Sequence, residues 1–211
     1  MICDGLENEC DPMTEVILPN ANLTGQITVT EDTRYCVQNT AVVEFSALIE
    51  DPITIEMYPH SSNNASSTFP ATINCTPDGP NSDYAALHIS NSSADIKIDG
   101  ITFSECTGTP AINYYGSGTI DIDNAIFYNN SNDDEGGAIY IKTSSGTYPT
   151  AHITNTLFEL NEAKFGGALY AIQADVTITN STFDSNQTLS SSYARQGGAI
   201  TIYGLMPNIP V

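Results

Sequence analysis

The sequence predicts an all-β fold, a parallel β-helix wound in coils of about 25–31 residues. Three observations predict it. Gly-Gly-Ala recurs at 136–138, 166–168 and 197–199, with degenerate copies in "PAINYY" (110–115) and "AALHIS" (85–90). Phe103, Phe127, Phe158 and Phe183 keep step with it. Ahead of each Phe, the stretches "ADIKIDGITF", "GTIDIDNAIF", "AHITNTLF" and "ADVTITNSTF" alternate apolar and polar residues with period two. That is the period of a strand with one buried face, and no stretch keeps the 3.6-residue period of a helix.

One continuous solenoid is expected, with a cap and irregular coils over 1–84 and regular coils over 85–211. In the first part "GQITVTEDTRYCV" and "ALIEDPITIEMYP" read as strands, and "HSSNNASSTFP" reads as a loop. A cap is required on physical grounds, because the open end of a coil is an exposed sheet edge. In the second part Ile96/Ile98, Ile120/Ile122, Ala151/Ile153 and Val176/Ile178 face inward, with Lys97/Asp99, Asp121/Asp123, His152/Thr154 and Thr177/Thr179 outward. Gly100, Asn124, Asn155 and Asn180 follow, residue types that tolerate left-handed bends. The four phenylalanines then stack inside the coil, and Asn130, Asn161 and Asn186 form an inward ladder that satisfies bend backbone. Cys106 takes the ladder position in "FSEC". The glycine pair marks the corner into the next strand, where a side chain would crowd the turn.

In that last strand Ile139/Ile141, Leu169/Ala171 and Ile200/Ile202 point inward. The opposite face then carries His88, Asn113, Tyr115, Tyr140, Lys142, Tyr170 and Tyr203. Tyrosines on a flat, rigid face can stack on sugars or anchor a protein. They can equally stabilise the sheet by stacking between rungs.

The chain carries 25 acidic and five basic residues, a net charge of −20. That excludes nucleic acid and anionic membrane as partners, since both are bound through cationic patches. No run has the roughly 18 apolar residues of a membrane span. "MICDGLENEC" has neither a basic n-region nor an apolar h-region, so signal and anchor are expected outside this segment. Seven Asn-x-Ser/Thr sequons point to an extracellular protein. Asn22, Asn64, Asn74, Asn91 and Asn129 are the glycosylation candidates; Asn180 at the bend and Asn186 in the ladder are turned away from that role. The five cysteines Cys3, Cys10, Cys36, Cys75 and Cys106 are disulfide candidates, with the connectivity open.

Enzymatic chemistry finds little footing. The basic residues Arg34, Lys97, Lys142, Lys164 and Arg195 are scattered, with no lyase-like motif around them. Asp121 and Asp123 share an outward face without the flanking residues of a β-helix glycosidase. His60, His88 and His152 show no zinc spacing. No cofactor is implied. A bend loop at Asp133, Asp134 and Glu135 offers oxygen ligands for Ca²⁺, but without the alternating spacing of an EF-hand.

Phe-x-x-Asn paired with Gly-Gly-Ala-Ile/Leu resembles the repeat of the polymorphic outer-membrane proteins (Pmp), known from chlamydial autotransporter adhesins. Phe127/Asn130 with Gly136–Ile139, Phe158/Asn161 with Gly166–Leu169, and Phe183/Asn186 with Gly197–Ile200 match both halves, over roughly residues 85–202. The resemblance implies a right-handed parallel β-helix, surface display and adhesion. The expected function is that of a non-enzymatic extracellular or cell-surface glycoprotein, acting in adhesion or a surface coat through a protein or glycan partner. A second reading is a structural subunit that self-associates into filaments, and a third a polysaccharide-active β-helix enzyme.

Overall fold

A computed structural model of the chain describes residues 14–18, 26–38, 42–60, 71–79, 82–144, 146–189 and 197–204. Every described element is a strand, and all pairings are parallel except one. The chain visits three long sheets in turn and returns to the first one coil further along the axis, the topology of a parallel β-helix. Sheet one runs from Thr14–Leu18 through Thr33–Gln38, Thr54–His60, Asp95–Asp99, Thr119–Asp123 and Thr150–Thr154 to Asp175–Thr179. Sheet two runs from Val42–Phe45 to Thr182–Asp184 and includes all four repeat phenylalanines. Sheet three runs from Ile27–Val29 to Ile200–Tyr203 and includes the strand after each glycine pair.

The alternation in the sequence becomes alternation in burial. Ile96, Ile98, Ile120, Ile122, Ala151 and Ile153 are buried, while Lys97, Asp121 and His152 between them are exposed. Register pairs like with like, Ile96 on Ile120 and Phe103 on Phe127, so each side chain meets its counterpart in the next coil. Stacking is tightest along the phenylalanines. Phe103, Phe127, Phe158 and Phe183 lie with centroids 5.1, 4.9 and 4.5 Å apart and planes within 11° of parallel. One hydrophobic cluster extends from Val29 to Ala171, and Leu87–Ser92 pairs with Ala47–Ile49 across the 84/85 boundary.

Where the chain turns, three columns of left-handed backbone recur. Gly100, Asn124, Asn155 and Asn180 form one, at φ of 71°, 50°, 50° and 52°. The first glycines of the Gly-Gly pairs form another. The third, Glu105, Asn129, Leu160 and Ser185, has φ between 52° and 58° and no shared residue type. It precedes the ladder position and turns the next side chain inward. Asn130 and Asn161 are fully buried there. Each uses its whole amide: Asn161 Nδ2 donates to the Phe127 carbonyl (2.9 Å) and to Asn186 Oδ1 (2.9 Å), while its Oδ1 accepts from Asn130 N (3.1 Å) and Nδ2 (2.9 Å). Two donors and two acceptors are thus satisfied in a dry interior. Cys106 ends the ladder, donating its N–H to Asn130 Oδ1 (3.1 Å) and bonding its sulfur to Cys75 one coil away. Cys36 is also disulfide-bonded; Cys3 and Cys10 lie outside the described residues.

Two expectations change in detail. The acidic stretch at Asp133, Asp134 and Glu135 is not a bend loop but the strand Ser131–Glu135, which pairs in parallel with Glu162–Phe165 in a small fourth sheet. Longer coils have enough chain between ladder asparagine and glycine pair to add this rung. The second change concerns Tyr170, described below.

Candidate functional site

The outer face of sheet three gathers the predicted stripe into two axial columns. One holds Leu48, His88, Asn113, Tyr140, Tyr170 and Thr201 in register; the other holds Ser90, Tyr115, Lys142, Ile172 and Tyr203. Inward neighbours such as Leu87, Ile112, Ile139 and Leu169 are fully buried and hold the strands flat beneath them. Tyr140 and Tyr170 stack with centroids 5.9 Å apart and planes 7° from parallel. Tyr203 meets Tyr170 edge-on at 5.9 Å, and Lys142 Nζ lies 5.8 Å from the Tyr115 ring centre.

Tyr170 is outward-facing in register yet only 6% exposed. Tyr140 and Tyr203 flank it, and Phe165 from the fourth sheet tilts against it at 6.2 Å. It therefore supports the stripe and is not a contact residue. Phe165 escaped the sequence reading because no other coil has an aromatic at that place. Tyr203, 40% exposed, is the accessible end of the stripe.

Burial is the first cause of every shifted proton equilibrium here. It pushes the Tyr140 phenol up to about 12, helped by Glu135, Tyr170, Tyr115 and Asp134. It raises Tyr170 as well, and it lowers His88 against the opposing pull of Glu50. The Glu135 carboxyl is raised by burial and then by Asp134, with Lys142 and Lys164 pulling the other way. Lys164 Nζ stands 3.7 Å from Asp134 and 5.4 Å from the Phe165 ring centre. Among the described residues no three His, Cys, Asp or Glu side chains converge as metal ligands. The Ca²⁺ candidate Asp133, Asp134 and Glu135 is a strand with a lysine already beside one of its carboxylates.

The remaining candidates disperse. Asp121 and Asp123 border a shallow groove with Lys97, Asp99 and His152 on sheet one. There Asn124 Nδ2 donates to Asp99 (3.0 Å) and Asp123 (3.1 Å), and Asn155 Nδ2 to Asp123 (2.9 Å), so these acids brace the bend. Every described Lys and Arg lies over an aromatic ring: Arg34 and Lys97 on Tyr58, Lys142 on Tyr115, Lys164 on Phe165. Of the sequons, Asn129 is exposed at a corner, Asn74 accepts from Ser104 Oγ (2.8 Å), and Asn186 spends its amide in the ladder. Asn91 lies in the strand Leu87–Ser92; Asn22 and Asn64 fall outside the described residues.

Comparison with known proteins agrees with this geometry. A model of the Chlamydia polymorphic membrane protein repeat matches residues 124–142, the segment from the Asn124 bend through Phe127, Asn130 and the glycine pair. The chain is 39% identical over 80 residues to the probable autotransporter YfaL of Escherichia coli (strain K12). That match covers 35% of this chain and spans about 6% of the relative's length. No solved structure matches the chain. The chain is a parallel β-solenoid, and its repeat is similar to the Pmp repeat over residues 124–142.

Proposed function

We propose that this chain is a surface-exposed, non-enzymatic β-helix rod that acts in adhesion, with the aromatic face of sheet three as its contact surface. The observation that carries the reading is the stacked pair Tyr140 and Tyr170, with Tyr203 edge-on to it, held over a fully buried strand layer on a solenoid with a repeat similar to the Pmp type. A preformed aromatic face loses little conformational entropy when a partner settles on it. The engagement of each described cation with a ring or a carboxylate supports a structural use of the charges over a catalytic one. Asn129 is the sequon best placed to carry glycan in a host that adds it.

The test is binding of the purified chain to cultured epithelial cells, read by flow cytometry. Saturable binding that falls with Tyr203→Ala and Tyr140→Leu is expected. Binding absent from the native chain, or untouched by both changes, would reject adhesion through this face. A second reading, a subunit of a filament, is favoured by the last described coil, where no described residue lies within 4 Å of the Cβ position of Gly198.

A further inference from the structure

We propose that a notch beside Tyr140 binds a neutral, hydroxyl-rich glycan, with the Tyr140 ring as its platform. The proposal rests on the adhesion reading and names the chemistry of the partner. The notch comes from one short corner. Where later coils run from Asn130 to Ala138 or from Asn161 to Ala168, the coil before them has only the span from Cys106 to Ala111. It cuts across through Gly108, at φ 72°, and Pro110, and adds no rung to the fourth sheet. The strand Ser131–Glu135 therefore pairs along one side with Glu162–Phe165 but meets the short corner only at the Thr107–Ser131 bridge. Between them opens a concavity of about 320 Å³, walled by Pro110, Asn113, Asn132, Asp134 and Glu135 and floored by Tyr140. That volume lies at the low end of the roughly 300–1,000 Å³ of ligand sites.

The lining fits a sugar. One face of the Tyr140 ring is covered by Tyr170; on the other side Asn113 stands in register, and both Asn113 and Tyr140 line the notch. Such a face takes the C–H side of a pyranose, while the amide and carboxylates at the rim exchange hydrogen bonds with its hydroxyls. The charge around it selects a neutral ligand. Asp134 has Lys164 beside it, and Lys142 and Lys164 both act on Glu135, so these acids need no cation from a ligand. Sialylated and sulfated glycans are opposed by the −20 of the whole chain.

The experiment is an array of neutral oligosaccharides ending in glucose, galactose or N-acetylglucosamine, with sialylated and sulfated counterparts and a polylysine spot. It is probed with the whole chain and with Tyr140→Leu, Asn113→Ala and Tyr128→Leu, each checked for an unchanged melting temperature. The native chain should retain a neutral class. Tyr140→Leu and Asn113→Ala should each weaken it by about tenfold or more, the scale of one lost stacking or hydrogen-bond anchor. Tyr128→Leu, at a more exposed tyrosine on sheet two, should leave it unchanged. Preference for anionic glycans or polylysine, no retention, or retention indifferent to both Tyr140→Leu and Asn113→Ala would overturn the proposal. If the first variant unfolds, Asn113→Ala decides alone. Cell binding that persists without glycan retention would overturn the notch and leave adhesion standing; loss of both would overturn both.

Discussion

The Asn161 side chain makes four hydrogen bonds from a position with no access to water. Replacing it by Ala leaves the Asn130 N–H and one Asn130 amide hydrogen without partners in the buried interior. At about 1–3 kcal/mol for each stranded group, Asn161→Ala should cost about 3–5 kcal/mol in chemical denaturation. Asn186→Ala should cost clearly less, because that rung is only partly buried and water can replace the lost bonds. Cys106 occupies the same column, so its disulfide and the ladder are alternative ways to tie neighbouring coils. Cys75→Ala/Cys106→Asn should accordingly be more stable in thermal melts than Cys75→Ala/Cys106→Ala, since only the former restores an inward amide. Tyr114 gives the pH dependence at this scale. Its hydroxyl donates to the Ala94 carbonyl (2.8 Å) and accepts from Gly118 N (2.7 Å), and burial pushes its phenol up to about 12. A folded pKa above the unfolded value of about 10 means that folding holds the proton more tightly. The stability it contributes is complete below pH 10 and fades as pH rises toward 12. Tyr114→Phe should start less stable and lose less over that interval, with phenolate absorbance and circular dichroism followed together. A steeper loss in Tyr114→Phe would contradict this.

At the scale of the coil, spacing is set by the second glycine of each pair. A Cβ on Gly167 would run into the Gly198 and Gln187 carbonyls of the next coil, whereas one on Gly198 meets nothing within 4 Å. Gly167→Ala should therefore cost about 2–4 kcal/mol, and Gly198→Ala in the same chain should leave the denaturation midpoint nearly unmoved. Equal effects would mean that the glycines serve only the turn. This element was legible in the sequence because its constraint repeats: Phe, Asn and Gly-Gly each return to one place in successive coils, and identical neighbours stack. The outward tyrosines were legible as a stripe for the same reason. Three things were not. Glu105, Leu160 and Ser185 adopt left-handed backbone that no residue type announces; the inward demand of the next residue imposes it. Tyr170 is shielded by Phe165, which occurs in a single coil. The notch depends on the length of one corner, visible in the spacing of Cys106 and Ala111 but meaningless until the longer coils are seen to add a rung.

Taken whole, the molecule is a rod whose last described coil is shaped like all the others. Phe183 stacks on Phe158 and has no aromatic described beyond it, the second amide hydrogen of Asn186 has no acceptor among the described residues, and Ile202 is 49% exposed. Gly198 keeps the clearance that Gly137 and Gly167 need beneath a neighbouring coil. Among the described residues this end has the spacing at which a coil of a second copy would fit. Apolar contact and backbone pairing favour that addition, and the net charge of −20 opposes it. The balance should be tunable. At about 10 mM salt the repulsion between acidic rods reaches roughly 30 Å, and at 0.15 M about 8 Å. The 211-residue chain should therefore sediment as a monomer at low salt and neutral pH. It should lengthen end to end as salt rises or as pH approaches the isoelectric point near 4.1. Gly198→Val and Ile202→Lys should each suppress the lengthening while sparing the melting temperature, and Tyr148→Ser, at an exposed position away from this end, should leave the lengthening unchanged. Electron microscopy would then distinguish rods lengthened along the β-helix axis from side-by-side aggregates. Lengthening unaffected by Gly198→Val would place the contact on a lateral face, and the aromatic surface of sheet three would become a packing surface between rods instead of a site for foreign ligands.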